Sequence, residues 1–180
     1  MKLLLHACCA PCLIYPLGVL RENKIKVSAF FYNPNIHPFS EYENRLQAVR
    51  DFSQEENLEI FIPEYNPQDY FHQVNLKEGP LQRCYLCWRL RLKESAKQAK
   101  ENGFNFFSTT LLASPYQDQE KIKEIGAQAS REEGVDFYYV DFRSGFRQAH
   151  AYARLKGIYC QKYCGCLYSE IERKRKKSGK

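Results

Sequence analysis

The sequence predicts a single α/β domain, a Rossmann-like parallel sheet of five strands with helices on both faces. Three observations predict it. Apolar runs of about four to eight residues alternate with longer stretches of helical periodicity, the pattern left by strands that are covered on both sides. No repeat, linker or low-complexity stretch interrupts the alternation. The chain has 180 residues, 44% hydrophobic and 14% aromatic, enough to bury one core without disulfide staples.

The elements follow in order. Residues 2–5 are a short apolar run and the first strand. Residues 12–22 can be helical, started near Pro11, with Pro16 distorting the first turns. Residues 25–32 (IKVSAFFY) are β-branched and aromatic, a buried strand stopped by Asn33-Pro34-Asn35. Ser40, with Glu43 three residues on, reads as a capping box opening a helix to about Glu56. Residues 58–62 are the third strand, ended by Pro63, and residues 63–80 an irregular crossing with a helical piece near 68–74. Residues 81–102 form a long helix closed by Gly103. Residues 104–108 are the fourth strand, 118–132 a helix with Gly134 just past its end, and 135–140 the fifth strand. Residues 143–156 and 160–176 are helical, divided by Gly157. In such sheets ligands bind beyond the carboxyl ends of the strands, at the point where strand order reverses.

The net charge of +6 is uneven. Residues 172–180 (ERKRKKSGK) hold six Lys or Arg against one Glu, a net of +5. The chain therefore divides into an α/β catalytic domain, residues 1–171, and a basic tail, residues 172–180. The tail is either a solvated end or an electrostatic arm for nucleic acid. Residues 83–100 strengthen the second reading, with Arg83, Arg89, Arg91, Lys93, Lys97 and Lys100 against Glu94 alone. The start, MKLLLHACC, has too short an apolar stretch for a signal peptide, and no run is long enough to span a membrane. The expectation is a cytoplasmic protein.

Eight cysteines fall in three groups: Cys8, Cys9 and Cys12; Cys84 and Cys87; Cys160, Cys164 and Cys166. Density of this kind means disulfides, metal or redox chemistry, and a cytoplasmic protein favours the last two. Cys8 and Cys9 lie where the first strand gives way to the first helix, at the sheet's functional edge. Cys84 and Cys87 share one helix face, which Arg91 continues, and a helix N-terminus favours thiolate. Two such pairs supply four thiolates, suited to tetrahedral zinc or to an iron–sulfur cluster, and Cys9-x-x-Cys12 makes Cys12 a further candidate ligand. Cys164-Gly165-Cys166 has one residue between thiols. A bridge there is strained and labile, so the pair reads as redox-active.

Four motifs in order, HACCAPC, RCYLCWRLRL, STTLLASPYQD and QKYCGCLYS, resemble the QueH-type epoxyqueuosine reductases over residues 4–169. That resemblance implies a fold similar to adenine nucleotide alpha-hydrolases and the last step of queuosine synthesis in tRNA, reduction of an epoxide to an alkene. It implies a 4Fe–4S cluster on Cys8, Cys9, Cys84 and Cys87, and a redox-active pair in Cys164 and Cys166. It also implies an additional metal ion, iron or zinc, with Cys12, Cys160 or an acidic residue as candidate ligands. The partners implied are a tRNA substrate and an external electron donor. ACCAPC stands where nucleotide-binding relatives have a phosphate loop, so ATP use is not implied. Tyr116, Asp118 and His6 are candidate proton donors by location, and Tyr85, Trp88, Tyr116, Tyr152, Tyr159, Tyr163 and Tyr168 include candidates for stacking on an extruded base. Two other readings remain, a zinc-stabilised RNA-binding module and a tRNA sulfur-transfer enzyme of the same fold.

Overall fold

Leu3, Leu4 and Leu5 are buried at the centre of the sheet, in β1 (Lys2–His6). In the computed structural model, which describes residues 1–178, β1 pairs in parallel with β2 (Lys26–Phe30) on one side and β4 (Phe106–Thr109) on the other. The outer strands are β3 (Ile60–Phe61) and β5 (Asp136–Phe137), giving the order β3-β2-β1-β4-β5, all parallel. Strand order reverses at β1, so the crevice beyond His6, Phe30 and Thr109 is where this architecture places ligands.

The helices are α1 (Ala10–Glu22), α2 (Phe39–Glu55), α3 (Pro67–Val74), α4 (Pro80–Glu101), α5 (Gln119–Glu133), α6 (Phe146–Leu155) and α7 (Leu167–Ser178). Right-handed crossovers put α1 and α2 on one face and α4 and α5 on the other. The packing follows: α1 lies against α2 and α6, and α4 against α3 and α5. Two glycine-closed helix ends behave as the sequence requires. Gly103 and Gly134 take φ of 67° and 75°, the left-handed conformation that ends a helix cheaply only with glycine.

Several expectations are corrected. The helix after β2 starts at Phe39, capped by Pro38 with φ −68°, so Ser40 is inside the first turn and the capping box does not form. The strands are shorter than their apolar runs. Phe31 and Tyr32 stay buried after leaving β2, and β5 keeps only two residues as an edge strand. Residues 160–166 are not helical. Gly165 has φ 141°, and the carbonyls of Tyr163, Cys164 and Gly165 are taken by Arg45 and the His37 N–H instead of by later helical amides. Residues 172–178 continue α7, which Arg83 ties to α4 through Glu172 at 2.7 Å and 2.8 Å; residues 179 and 180 lie outside the described residues.

Gly126 sets how closely α5 approaches β5, because an added Cβ would lie 2.3 Å from the Phe137 ring. Gly126→Val should cost about 2–3 kcal/mol by overpacking, lowering the thermal midpoint by roughly 4–10 °C for a chain of this size. An unchanged midpoint in a reversible thermal melt would contradict the packing described for α5.

Candidate metal and thiol site

Cys8 and Cys9 sit in the turn that carries the chain from β1 into α1. Cys9 is the N-cap residue, in extended backbone with φ −170° and ψ 159°, and Pro11 occupies the first turn. Cys12, three residues past the cap, falls on the same side. The three sulfurs lie within 4.8 Å of one another, with Cys8 and Cys9 3.8 Å apart. Thiolates bound at ~2.3 Å around one tetrahedral ion stand ~3.8 Å apart, so this spacing suits a metal. Among the described residues no other three Cys, His, Asp or Glu side chains gather so closely. Hydrogen bonds from Cys12 and Cys9 hold the Cys8 thiol well below its usual range, and the Thr110 hydroxyl, 3.4 Å away, adds to this. Burial pushes the Cys9 thiol up; Cys12 is raised first by its bonds to Cys8 and Cys9 and then by burial.

Cys84 and Cys87 share a face of α4, but that helix begins at Pro80, so both lie beyond its first turn. Burial outweighs any help from the helix end, lifting Cys84 to about 11 and Cys87 to about 12, opposite to the shift the sequence suggested. Cys87 packs with Cys166, Tyr70 and Val74 in a small apolar cluster. Both α4 thiols are raised further by Cys164 and Cys166, and Cys164 in turn by Cys166 and Cys8. The sulfurs of three separate elements thus converge at the ligand edge of the sheet. The close triad takes in Cys8, Cys9 and Cys12, and leaves Cys84 and Cys87 outside it. All eight cysteines are free thiols. Cys160 bonds the Ile158 carbonyl at 3.4 Å and belongs to no such group.

Two buried arginines organise these sulfurs; spacing put Arg91 on the cysteine face of α4, while Arg45 gave no sequence signal. Arg91 extends from α4 to the Asn33 Oδ1 at 2.9 Å, the His6 Nε2 at 3.3 Å and the Cys87 sulfur at 3.9 Å. Burial opposes its charge, but the sulfurs of Cys87 and Cys8 hold it protonated. Arg45, fixed by Glu41 at 2.8 Å, donates to the carbonyls of Cys164 and Tyr163 at 2.9 Å and 3.0 Å. The His37 N–H holds the Gly165 carbonyl at 2.8 Å. Three consecutive carbonyls of the Cys164–Cys166 loop are therefore pinned by rigid donors. Gln161 was likewise missed; its amide donates to Cys9 at 2.9 Å. His6 is fully buried and pushed down to about 3 by burial and by Arg91. It is neutral and packed, so it is no proton donor. Asp118 caps α5 through Lys121 N–H at 3.0 Å.

Above the sulfurs opens a cavity of about 1340 Å³. Cys8, Cys12, Cys164 and Arg91 are at its base, with Tyr116, Phe146 and Gln161 along its walls and cations of α6 and α7 at its rim. The donor set fits a thiolate-held, anionic inorganic centre. The ligands are soft, the amide of Gln161 and the hydroxyl of Thr110 bond to their sulfurs, and Arg91 supplies positive charge with no carboxylate ion pair among the described residues.

Comparison with known proteins agrees with this geometry. The family model described as "Epoxyqueuosine reductase QueH" matches residues 3–172. A relative of that name from Dehalococcoides mccartyi is 38% identical over 173 residues, covering 96% of this chain and 94% of its own. Another from Thermotoga maritima is 37% identical over 182 residues, covering 96% and 92%. Among solved structures, the U34-tRNA thiolase NcsA from Methanococcus maripaludis, solved with its 4Fe–4S cluster, superposes with a TM-score of 0.60 at 15% identity, covering 94% of this chain and 61% of that one. A predicted tRNA methyltransferase subunit from Methanocaldococcus jannaschii gives 0.53 at 9% identity, covering 99% and 89%. These two show a shared fold, the sheet order described above. With most of its length matched, the chain belongs to the QueH family of epoxyqueuosine reductases.

Proposed function

We propose that the chain reduces epoxyqueuosine to queuosine within tRNA, the last step of queuosine synthesis. The observation that carries the reading is that Cys8, Cys12 and Cys164 line a cation-bearing cavity, with Cys87 packed against Cys166 beside it, in a chain of this family. Cys8, Cys9, Cys84 and Cys87 would hold a 4Fe–4S cluster, which when bound supplies electrons one at a time. The closeness of Cys12 to Cys8 and Cys9 supports it as a ligand to an additional metal ion, iron or zinc, acting as a Lewis acid toward oxygen. The residues 172–180 act with α6 as the electrostatic arm for tRNA. Eight free thiols and no helix among the described residues long and apolar enough to cross a membrane suit work in the cytoplasm.

The electron count fits the Cys164–Cys166 pair. Removing the epoxide oxygen as water takes two electrons and two protons and leaves the alkene. Two thiols passing to one disulfide release the same two electrons and two protons, and an external electron donor then restores the thiols. Cys164 is exposed on the cavity and Cys166 is buried behind it, so the pair spans the distance from substrate to interior. Gly165 permits the tight loop: a Cβ there would press on Ile36 at 3.1 Å and Asn35 at 3.3 Å. Of the candidate proton donors Tyr116 alone lines the cavity, which supports it as the donor to the departing oxygen.

The direct test is anaerobic incubation with epoxyqueuosine-containing tRNA and a reductant, followed by nucleoside mass spectrometry. The wild type should yield the nucleoside lacking one oxygen over many cycles. Cys166→Ser should keep its metal and lose sustained turnover. Full multiple turnover by that variant would remove the pair from the electron path, and loss of its iron would make the pair metal ligands.

Cys87→Ser should lose bound iron while keeping its far-UV circular dichroism. A smaller hydroxyl beside Arg91 in that cluster, with its weakened contact, costs about 1–3 kcal/mol, less than the 5–15 kcal/mol typical of a domain. Collapse of the circular dichroism signal together with the metal would make the centre a structural staple and favour the zinc-stabilised module.

A further inference from the structure

Tyr116 is 84% exposed, although it is a large aromatic ring beside the reactive sulfurs. Its edge rests on Phe146, with centroids 5.9 Å apart and planes at 85°, and Phe146 in turn meets the His150 ring at 4.3 Å. Neither Tyr116 nor Phe146 packs into the hydrophobic core. The His150 Nε2 is buried without a hydrogen-bond partner. All three rings line the cavity that reaches Cys8 and Cys164. Around them stand Arg147, Arg154, Lys162, Arg173, Lys176 and Lys177, none in an ion pair with a carboxylate among the described residues.

Exposed aromatic faces inside a ring of unpaired cations match one kind of ligand, single-stranded nucleic acid, whose bases stack and whose phosphates need neutralising. A duplex cannot serve, because a paired base does not reach sulfurs at the bottom of a cavity. From this juxtaposition we infer that the Tyr116 ring is the face on which the target base of a tRNA loop stacks once turned out, with Phe146 set edge-to-face against Tyr116 to brace it. The cations of α6 and α7 hold the phosphates on either side. The assignment rests on the tRNA reading above and adds the residues that position the base over Cys8 and Cys164.

Stacking and phosphate contacts separate by salt. The test is binding of an RNA hairpin, carrying 2-aminopurine in its loop, to the full anaerobically purified chain across a salt titration. Tyr116→Ala should weaken binding about tenfold or more, relieve quenching of the 2-aminopurine, and leave the salt slope unchanged. Tyr116→Phe should restore both affinity and quenching, since a ring is what stacking needs. Arg147→Gln should retain quenching and reduce the slope by about 1. Thermal midpoints of the variants should match the wild type, as the ring at 116 is solvent-exposed. Unchanged affinity in Tyr116→Ala, or a loss matched by a shallower salt slope, overturns the stacking assignment even when wild-type turnover on tRNA is intact. Failure of the wild type to bind the hairpin at all overturns the tRNA reading with it.

Discussion

Arg91 carries a full positive charge at a point where water is excluded and, among the described residues, no carboxylate pairs with it. Burying an ion costs several kcal/mol even after relaxation, and a neutral amide and imidazole repay only part of that. The compensation comes from Cys8, whose thiol is held well below its usual range, while Cys87, lifted to about 12 by burial, accepts from Arg91 at 3.9 Å as a thiol. Arg91 and Cys8 therefore support each other: hydrogen bonds from its neighbours lower the Cys8 thiol first, and the Arg91 charge lowers it further. The same side chain joins α4 to β1 through His6 and to the loop after β2 through Asn33. One charge thus fixes the relative positions of the two thiol-bearing segments that the site needs.

Arg45 repeats the device at the other side. Its charge is neutralised by Glu41, so its remaining donors are free to grip backbone, and they grip the loop that holds Cys164 and Cys166. Inner and outer cations then have separate tasks. Buried Arg91 and Arg45 shape the sulfur centre, where low dielectric makes each charge strong. The cations on α6 and α7 line the cavity, where charges close to solvent are screened by salt far more than buried ones. A site that must accept electrons within and RNA from outside needs both.

The sheet was legible in sequence, and so was the grouping of the cysteines, because both are local signals. Apolar runs gave five parallel strands, and C-x-x-C spacing and the CGC loop marked the sulfurs. What was not legible depends on distant packing. Arg45 reaches a loop more than a hundred positions away, as does Gln161 to Cys9. The 160–166 segment carried a helical pattern, yet its carbonyls are captured by residues of another element. The pKa of the α4 thiols was misjudged for the same reason, since burial is a property of the folded chain and outweighs the helix end.

The central claim is that these sulfurs, set around buried positive charge, hold an iron–sulfur centre. Purification without oxygen, followed by iron, acid-labile sulfide and zinc analysis with a visible spectrum, tests it directly. The account predicts iron with matching labile sulfide and a brown absorption that bleaches on dithionite. Stoichiometric zinc with no labile sulfide, in a colourless protein, would contradict it.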